Sequence, residues 1–187
     1  MIIKSIDAEN QVVLQVAKQM ATAARTAPKA NGDDSILTAI VTGDHKLKLA
    51  KRTQELGKEY GWDFMVRDAK MIKHAPAVLL IGVKKESALV GPVCGFCGFK
   101  NCGECKAAGA NCALKVTDIG IAVGSAVSVA ADNRIDNRVF FSGGRAALDF
   151  DFFDNEAELA YAIPLSANGK SVFFDRIGTP QLEDLEV

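Results

Sequence analysis

The sequence predicts a mixed α+β protein, a central sheet with helices on its faces. Three observations predict it. Apolar residues recur at helical spacing in two long segments of the first sixty residues. Two short apolar runs, ILTAIV (36–41) and AVLLIGV (77–83), lie between turn signals and read as strands. Helices and strands alternate early, and strand-like segments dominate late.

Taken in order, residues 8–27 read as an amphipathic helix through Val13, Val16, Ala17, Met20, Ala24 and Ala27, with Asp7 as its cap. Pro28 biases Ala27 out of the helix. The turn KANGDD leads to the strand at 36–41. A second helix is expected from about Asp44 to Tyr60, carrying Leu49, Thr53, Leu56 and Tyr60 on one face and ending at Gly61. The segment DFMV and a helical turn at 67–74 precede Pro76 and the buried strand 77–83. After the cysteine segment, TDIGIAVGSAVSVAA (117–131) reads as a buried helix capped by Thr117 or Asp118. Gly120 and Gly124 lie one turn apart on it, a helix-packing signal. RVFFS, AYAIPLS and SVFFD read as strands, the last two joined by an Asn168-Gly169 turn.

All five cysteines fall within residues 94–112, as Cys94, Cys97, Cys102, Cys105 and Cys112 in the order C-x2-C-x4-C-x2-C-x6-C. A core cysteine has no need of neighbours at ligand spacing, so a thiolate-bound metal centre is the first expectation. Short C-x2-C steps and cysteine-only ligation suit an iron–sulfur cluster. Structural zinc also accepts four thiolates, although its knuckles more often stand further apart. A disulfide framework fits an odd cysteine count poorly, and the start MIIKSIDAEN has no signal-peptide pattern. Gly91, Gly95, Gly98 and Gly103 would let the backbone wrap closely round an inorganic core. Cys97, Cys102 and Cys105 match the C-x4-C-x2-C order of plant-type 2Fe–2S ferredoxins. The string CGFCGFKNC resembles the C-G-x-C-G-x-x-x-C motif of a 4Fe–4S domain in corrinoid iron–sulfur proteins. By that resemblance Cys94, Cys97, Cys102 and Cys112 hold a 4Fe–4S cluster and Cys105 is spare; the gap to Cys112 is shorter here than in that domain.

At 187 residues one domain is the default, with room for a sizeable core. The net charge of −1 and the lack of a basic tract speak against nucleic acid. No continuous apolar run approaches membrane-spanning length, so no membrane partner is expected. Thiols awaiting a cluster must stay reduced, which implies the cytoplasm.

Two segments resemble nitroreductase-like flavoproteins. ATAARTAPKANGDD (21–34) is similar to a stretch that there ends a long helix and enters a flavin-contacting loop. DAKMIKHAPAVLLIGV (68–83) is similar to their later helical turn and core strand. TDIGIAVGSAVSVAA sits where they place the central helix of their dimer. With ARTAPKA, the cysteine block, DIGIAVGSA and PLS-x-x-GK-x-x-FFDR together, nearly the whole chain resembles a family of ferredoxin-domain-containing proteins of unknown function. The resemblance implies one nitroreductase-like domain over 1–187 with a central mixed sheet, and a cysteine-rich cluster-binding insertion at 91–113. It also implies a homodimer, an unidentified electron donor or acceptor, and FMN as a candidate cofactor. Arg25, Lys29 and Asn31, with Gly143 and Gly144, are then the candidate flavin residues. Lys29 stands where the family has serine, and Asp33 stands in or near the place of its glutamine. The arginine-rich N-terminal phosphate motif of nitroreductases is missing, leaving Lys29, Arg145, Lys170 or Arg176 as replacement cations. The function expected is iron–sulfur redox chemistry, by electron transfer or flavin-dependent reduction of a small substrate. The alternative is a binding or structural module whose cysteines hold zinc or a structural cluster. His45 and His74, the scattered aspartates and Ser125, Ser128 and Ser142 form no catalytic pattern.

Overall fold

The structure, a computed structural model, describes residues 2–89 and 91–174. Helix α1 spans Ser5–Thr26 and buries Val13, Val16, Ala17, Met20 and Ala24, the stripe the periodicity marks. It starts earlier than expected, so Asp7 lies inside its first turn, where a carboxylate complements the helix dipole, rather than at the cap. A 3₁₀ turn, Ala30–Gly32, leads to β1 (Ile36–Val41). Helix α2 (Gly43–Tyr60) stops at Gly61, which takes a left-handed φ of 68°. Tyr60 is exposed and lies beside Trp62 rather than in the core. Helix α3 (Asp63–His74) absorbs the DFMV segment, burying Met65, Ala69 and Ile72.

Strand β2 (Ala77–Lys84) is buried over all but its last residue. The cysteine segment follows and contains α4 (Cys102–Ala107). Helix α5 runs over Ala113–Asp132, beginning one turn before the expected start, and a two-residue β3 (Asp136–Asn137) succeeds it. RVFFS is not a strand. Phe140 exchanges two backbone hydrogen bonds with Ala162, and α6 then takes over at Phe141–Ala147. The last strand, β4, is Ala157–Ser166. Residues 171–174 form no strand; Asp175 and Arg176, which end the FFDR motif, lie outside the described residues.

The sheet order is β1-β2-β4-β3, and every pairing is antiparallel where a mixed sheet was expected. Two helices, not one, connect β1 to β2, so the chain re-enters the sheet from the end it left. Strand alternation then sorts the core. Leu79, Ile81, Ile163 and Leu165 face α1 and α5, whereas Val78, Leu80, Ala160 and Ala162 face α2, α3 and α6. Helices thus cover both faces of the sheet. Among the described residues α5 alone is long and apolar enough to cross a membrane by length and composition, yet it packs on α1 and the sheet through Ile119, Ala122, Ala126 and Ala130.

Candidate metal centre

The cysteine segment leaves the end of β2 and returns to the start of α5, both fixed in the core. Gly95 and Gly98, each directly after a cysteine, take φ of 62° and 80°. An L-residue with a side chain is strained there, so the two glycines let the chain reverse after Cys94 and again after Cys97. Gly103 is helical instead; a Cβ on it would lie 3.1 Å from Asn101 Oδ1. Asn101 caps α4 by accepting from the Glu104 N–H at 3.0 Å, while Glu104 reaches back to the Lys100 N–H at 3.2 Å. This reciprocal cap fixes the turn that carries Cys102 and Cys105.

All five cysteines are free and line one small cavity with Ser87, Ala88 and Leu114. Among the described residues no three His, Cys, Asp or Glu side chains are drawn together as tightly as a single metal ion requires. The thiols differ in environment. Cys112 is the N-cap of α5. Burial opposes its thiolate, but the nearby backbone N–H dipoles of Ala88, Lys115 and Leu114 and the Ser87 hydroxyl hold its pKa below the ordinary thiol value. Cys105 is buried, its Sγ 3.4 Å from the Ala110 carbonyl. Burial first, then the neighbouring sulfurs of Cys97, Cys112 and Cys102, push its thiol up to about 11. The five free thiols lining one cavity are the donors an all-thiolate centre would use; of the two with shifted thiols, Cys112 is shifted down and Cys105 up.

A polar network that the sequence reading missed anchors this region. Lys115, one turn into α5, is buried, with Nζ 3.0 Å from Ser35 Oγ and 3.3 Å from Asp33 Oδ2. Asp118, expected as a cap, lies within the helix and accepts from the Ala30 N–H at 2.9 Å. The helix that carries Cys112 is thereby tied to the turn between α1 and β1. No local pattern could flag Lys115, because its nearest partners, Ser35 and Asp33, are distant in sequence.

Of the five candidate flavin residues, Arg25, Lys29 and Asn31 share the segment from the end of α1 to the 3₁₀ turn, and Gly143 and Gly144 lie in α6. The Arg25 guanidinium binds the Ile36 carbonyl and, at 2.6 Å, Asp34. Lys29 Nζ donates to the carbonyls of Arg25 and Ala27. Asn31 sits in the 3₁₀ turn with φ 61°. Gly143 and Gly144 are buried in α6, where a Cβ would lie 2.7 Å from Ala162 Cβ and 1.9 Å from the Ala160 carbonyl oxygen, respectively. The close approach these glycines permit is to β4, not to a planar ligand. Arg145 pairs with Asp149 at 2.8 Å, Lys170 lines a separate cavity beside Lys46, and Arg176 lies outside the described residues. Within one chain, Arg25 and Lys29 are engaged by carbonyls and Asp34, and the two glycines by β4. Ser142 donates to the buried Asp68 at 2.7 Å, a packing role.

The backbone matches those of solved flavoproteins. It is similar to a nitroreductase with bound FMN from Desulfitobacterium hafniense (TM-score 0.56, 11% identity, 92% of this chain and 86% of that one). It is also similar to a nitroreductase with bound FMN from Bacteroides fragilis (TM-score 0.53, 13% identity, 97% and 88%). A BluB-like flavoprotein from Clostridium difficile matches at a TM-score of 0.52 with 14% identity, over 98% and 88%. At such identities the likeness is one of fold, and the fold is nitroreductase-like. In sequence, an uncharacterized protein of Archaeoglobus fulgidus is 40% identical over 184 residues, 94% of this chain and 98% of that protein. Residues 108–176 match the model described as "Uncharacterized protein containing a ferredoxin domain (DUF2148)". Of the five cysteines only Cys112 falls inside that span. The chain belongs to this ferredoxin-domain-containing family.

Proposed function

We propose that this protein is an electron-transfer protein in which Cys94, Cys97, Cys102 and Cys112 hold a 4Fe–4S cluster, with Cys105 a buried non-ligand. One observation carries the reading: all five sulfurs line the same cavity, on a loop whose glycines reverse the chain between them. The membership of a ferredoxin-domain family supports it. Such a centre, when bound, exchanges single electrons. The chain's own part is to fix the sulfurs, direct backbone amides at Cys112 and surround the site with Ala88 and Leu114, which limit water.

The acting unit is a homodimer of the cytoplasm. Only 39% of the apolar window of α5 is buried within the chain, although its mean hydropathy is 1.5. Val116, Gly120, Ile121 and Gly124 are exposed there, a surface that a second copy would cover. FMN is not assigned to this chain, because the donors of Arg25 and Lys29 are already engaged. Titrated into the protein, FMN should keep its fluorescence.

The test is purification without oxygen, followed by metal analysis. Broad visible absorbance with stoichiometric iron and acid-labile sulfide is expected. A colourless protein with stoichiometric zinc and no iron would overturn the reading in favour of a structural module.

A further inference from the structure

The end of the sheet away from the cysteines holds a cavity of about 600 Å³. Strand pairing gathers its walls. Val41, the last residue of β1, lies opposite Val78, and Ala77, the first of β2, lies opposite Leu165 near the end of β4. The floor is closed by Ala75, Ala77 and Val172, all buried, and by Lys46, which is 8% exposed. We infer that this cavity binds a monocarboxylate with an apolar body of about six to ten carbons, its carboxylate received by the Lys46 ammonium. The site does not rest on the cluster reading, because the eight residues of β2, roughly 25 Å of strand, stand between it and the cysteine segment.

Lys46 carries the argument. Its Nζ donates to the carbonyls of Lys73 and Ala75 at 2.8 and 2.6 Å, where α3 ends. An ammonium has three donors, and the third has no acceptor among the described residues. No carboxylate among them pairs with it either; the ion pairs of α2 belong to Lys51 and Arg52. Burial lowers the Lys46 pKa, and no counter-ion opposes that shift. A buried charge ordinarily has a charged partner. Lys46 has two carbonyl dipoles instead, and an anion in the cavity supplies the missing charge.

The other lining residues define the rest of the ligand. Lys46, Lys170 and Glu9 sum to one positive charge with His74 neutral. A monoanion matches that balance, whereas a phosphate dianion would leave negative charge in excess. Thr42 is the N-cap of α2, yet its side chain makes no capping bond, so its hydroxyl is free to donate to the carboxylate. Ile6, Asn10 and Leu14 are spaced four apart and share one face of α1 at the rim. Ile6 and Leu14 are exposed, and the apolar body of the ligand covers them.

The probes are octanoate, octanol and octylamine, which share a chain and differ in head group, with inorganic phosphate as a competing anion. Binding to the purified full chain at neutral pH is followed by calorimetry and saturation-transfer NMR, below micelle-forming concentrations. Octanoate should bind at least about tenfold more tightly than octanol or octylamine. Lys46→Met keeps an unbranched side chain and removes the charge; it should weaken octanoate by about tenfold or more and leave octanol unchanged. Because Lys46 also holds the end of α3, Leu14→Asp at the exposed rim is the second variant, and it should weaken octanoate by a similar factor. Octanoate affinity should be the same whether the cysteines hold iron, zinc or no metal. Four results would each overturn the assignment: no saturable octanoate binding, octanol binding as tightly as octanoate, octanoate binding unchanged by a folded Lys46→Met or by Leu14→Asp, or displacement of octanoate by an equal concentration of phosphate.

Discussion

The Lys115 ammonium lies 3.3 Å from the Asp33 carboxylate across 82 residues of sequence, and the pair ties α5 to the turn between α1 and β1. Lys115 is 3% exposed, so its charge is compensated by Asp33, Ser35 and, at 4.0 Å, Asp118. Lys115→Met leaves two carboxylates without their cation. It should lower unfolding free energy by about 3 kcal/mol or more, the cost typical of breaking a buried ion pair on one side. Urea unfolding checks this; a loss below about 0.5 kcal/mol, the scale of ordinary surface substitutions, would show that the pair is not coupled to folding.

Gly144 is the point where α6 touches β4. A methyl group there would meet the Ala160 carbonyl oxygen at 1.9 Å, and backbone cannot step aside as a side chain can. Gly144→Ala should cost about 1–3 kcal/mol or more through overpacking. Thermal unfolding of Gly144→Ala beside Gly169→Ala makes the comparison, since Gly169 has nothing within 4 Å and should tolerate the change.

Serine replacements separate ligands from the spare thiol. Cys94→Ser, Cys97→Ser, Cys102→Ser and Cys112→Ser should each bleach the visible absorbance of anaerobic protein. Cys105→Ser should largely keep it. Bleaching by the Cys105 change, with retention in one of the other four, would reassign the ligand set.

Light scattering at micromolar concentration should return twice the chain mass of 19.9 kDa. Ile121→Glu places a charge in the exposed apolar stripe of α5 and should shift the mass to that of one chain, since an obligate interface tolerates an uncompensated charge poorly. A wild-type protein already monomeric would remove the dimer.

Asp149 gives a pH-dependent signature. Burial works against its carboxylate, but Arg145 and Arg52, at 2.8 and 2.6 Å, hold its pKa below the usual carboxylate value. A pKa depressed by folding contributes stability above the unfolded pKa, and that contribution is lost as pH falls through the folded one. Asp149→Asn should therefore be less stable than wild type at neutral pH and converge with it in acid. A constant difference across the acid range would assign the effect to packing instead.

Sequence periodicity was sufficient for α1, α2 and β2, where burial follows a regular stripe or a continuous apolar run. It misread RVFFS because three apolar residues in a row favour a strand locally, whereas tertiary packing of Gly143 and Gly144 on β4 favours a helix. The cysteines were legible because ligand spacing is a local property. For the candidate flavin residues, a loop motif says nothing about where its donors are already engaged. Arg25 and Lys29 look available in a string of letters and are satisfied by carbonyls and Asp34 in three dimensions.

Cys112 is at once the last cysteine of the segment and the first residue of the helix that fills the core against α1. Under the proposed cluster reading, ligation at Cys112 and the docking of α5 are therefore coupled. A nascent chain cannot present its final sulfur correctly until α5 has docked on α1 and the sheet. Conversely, oxidative loss of the centre would loosen the first turn of α5 and the ties from Lys115 to Asp33 with it.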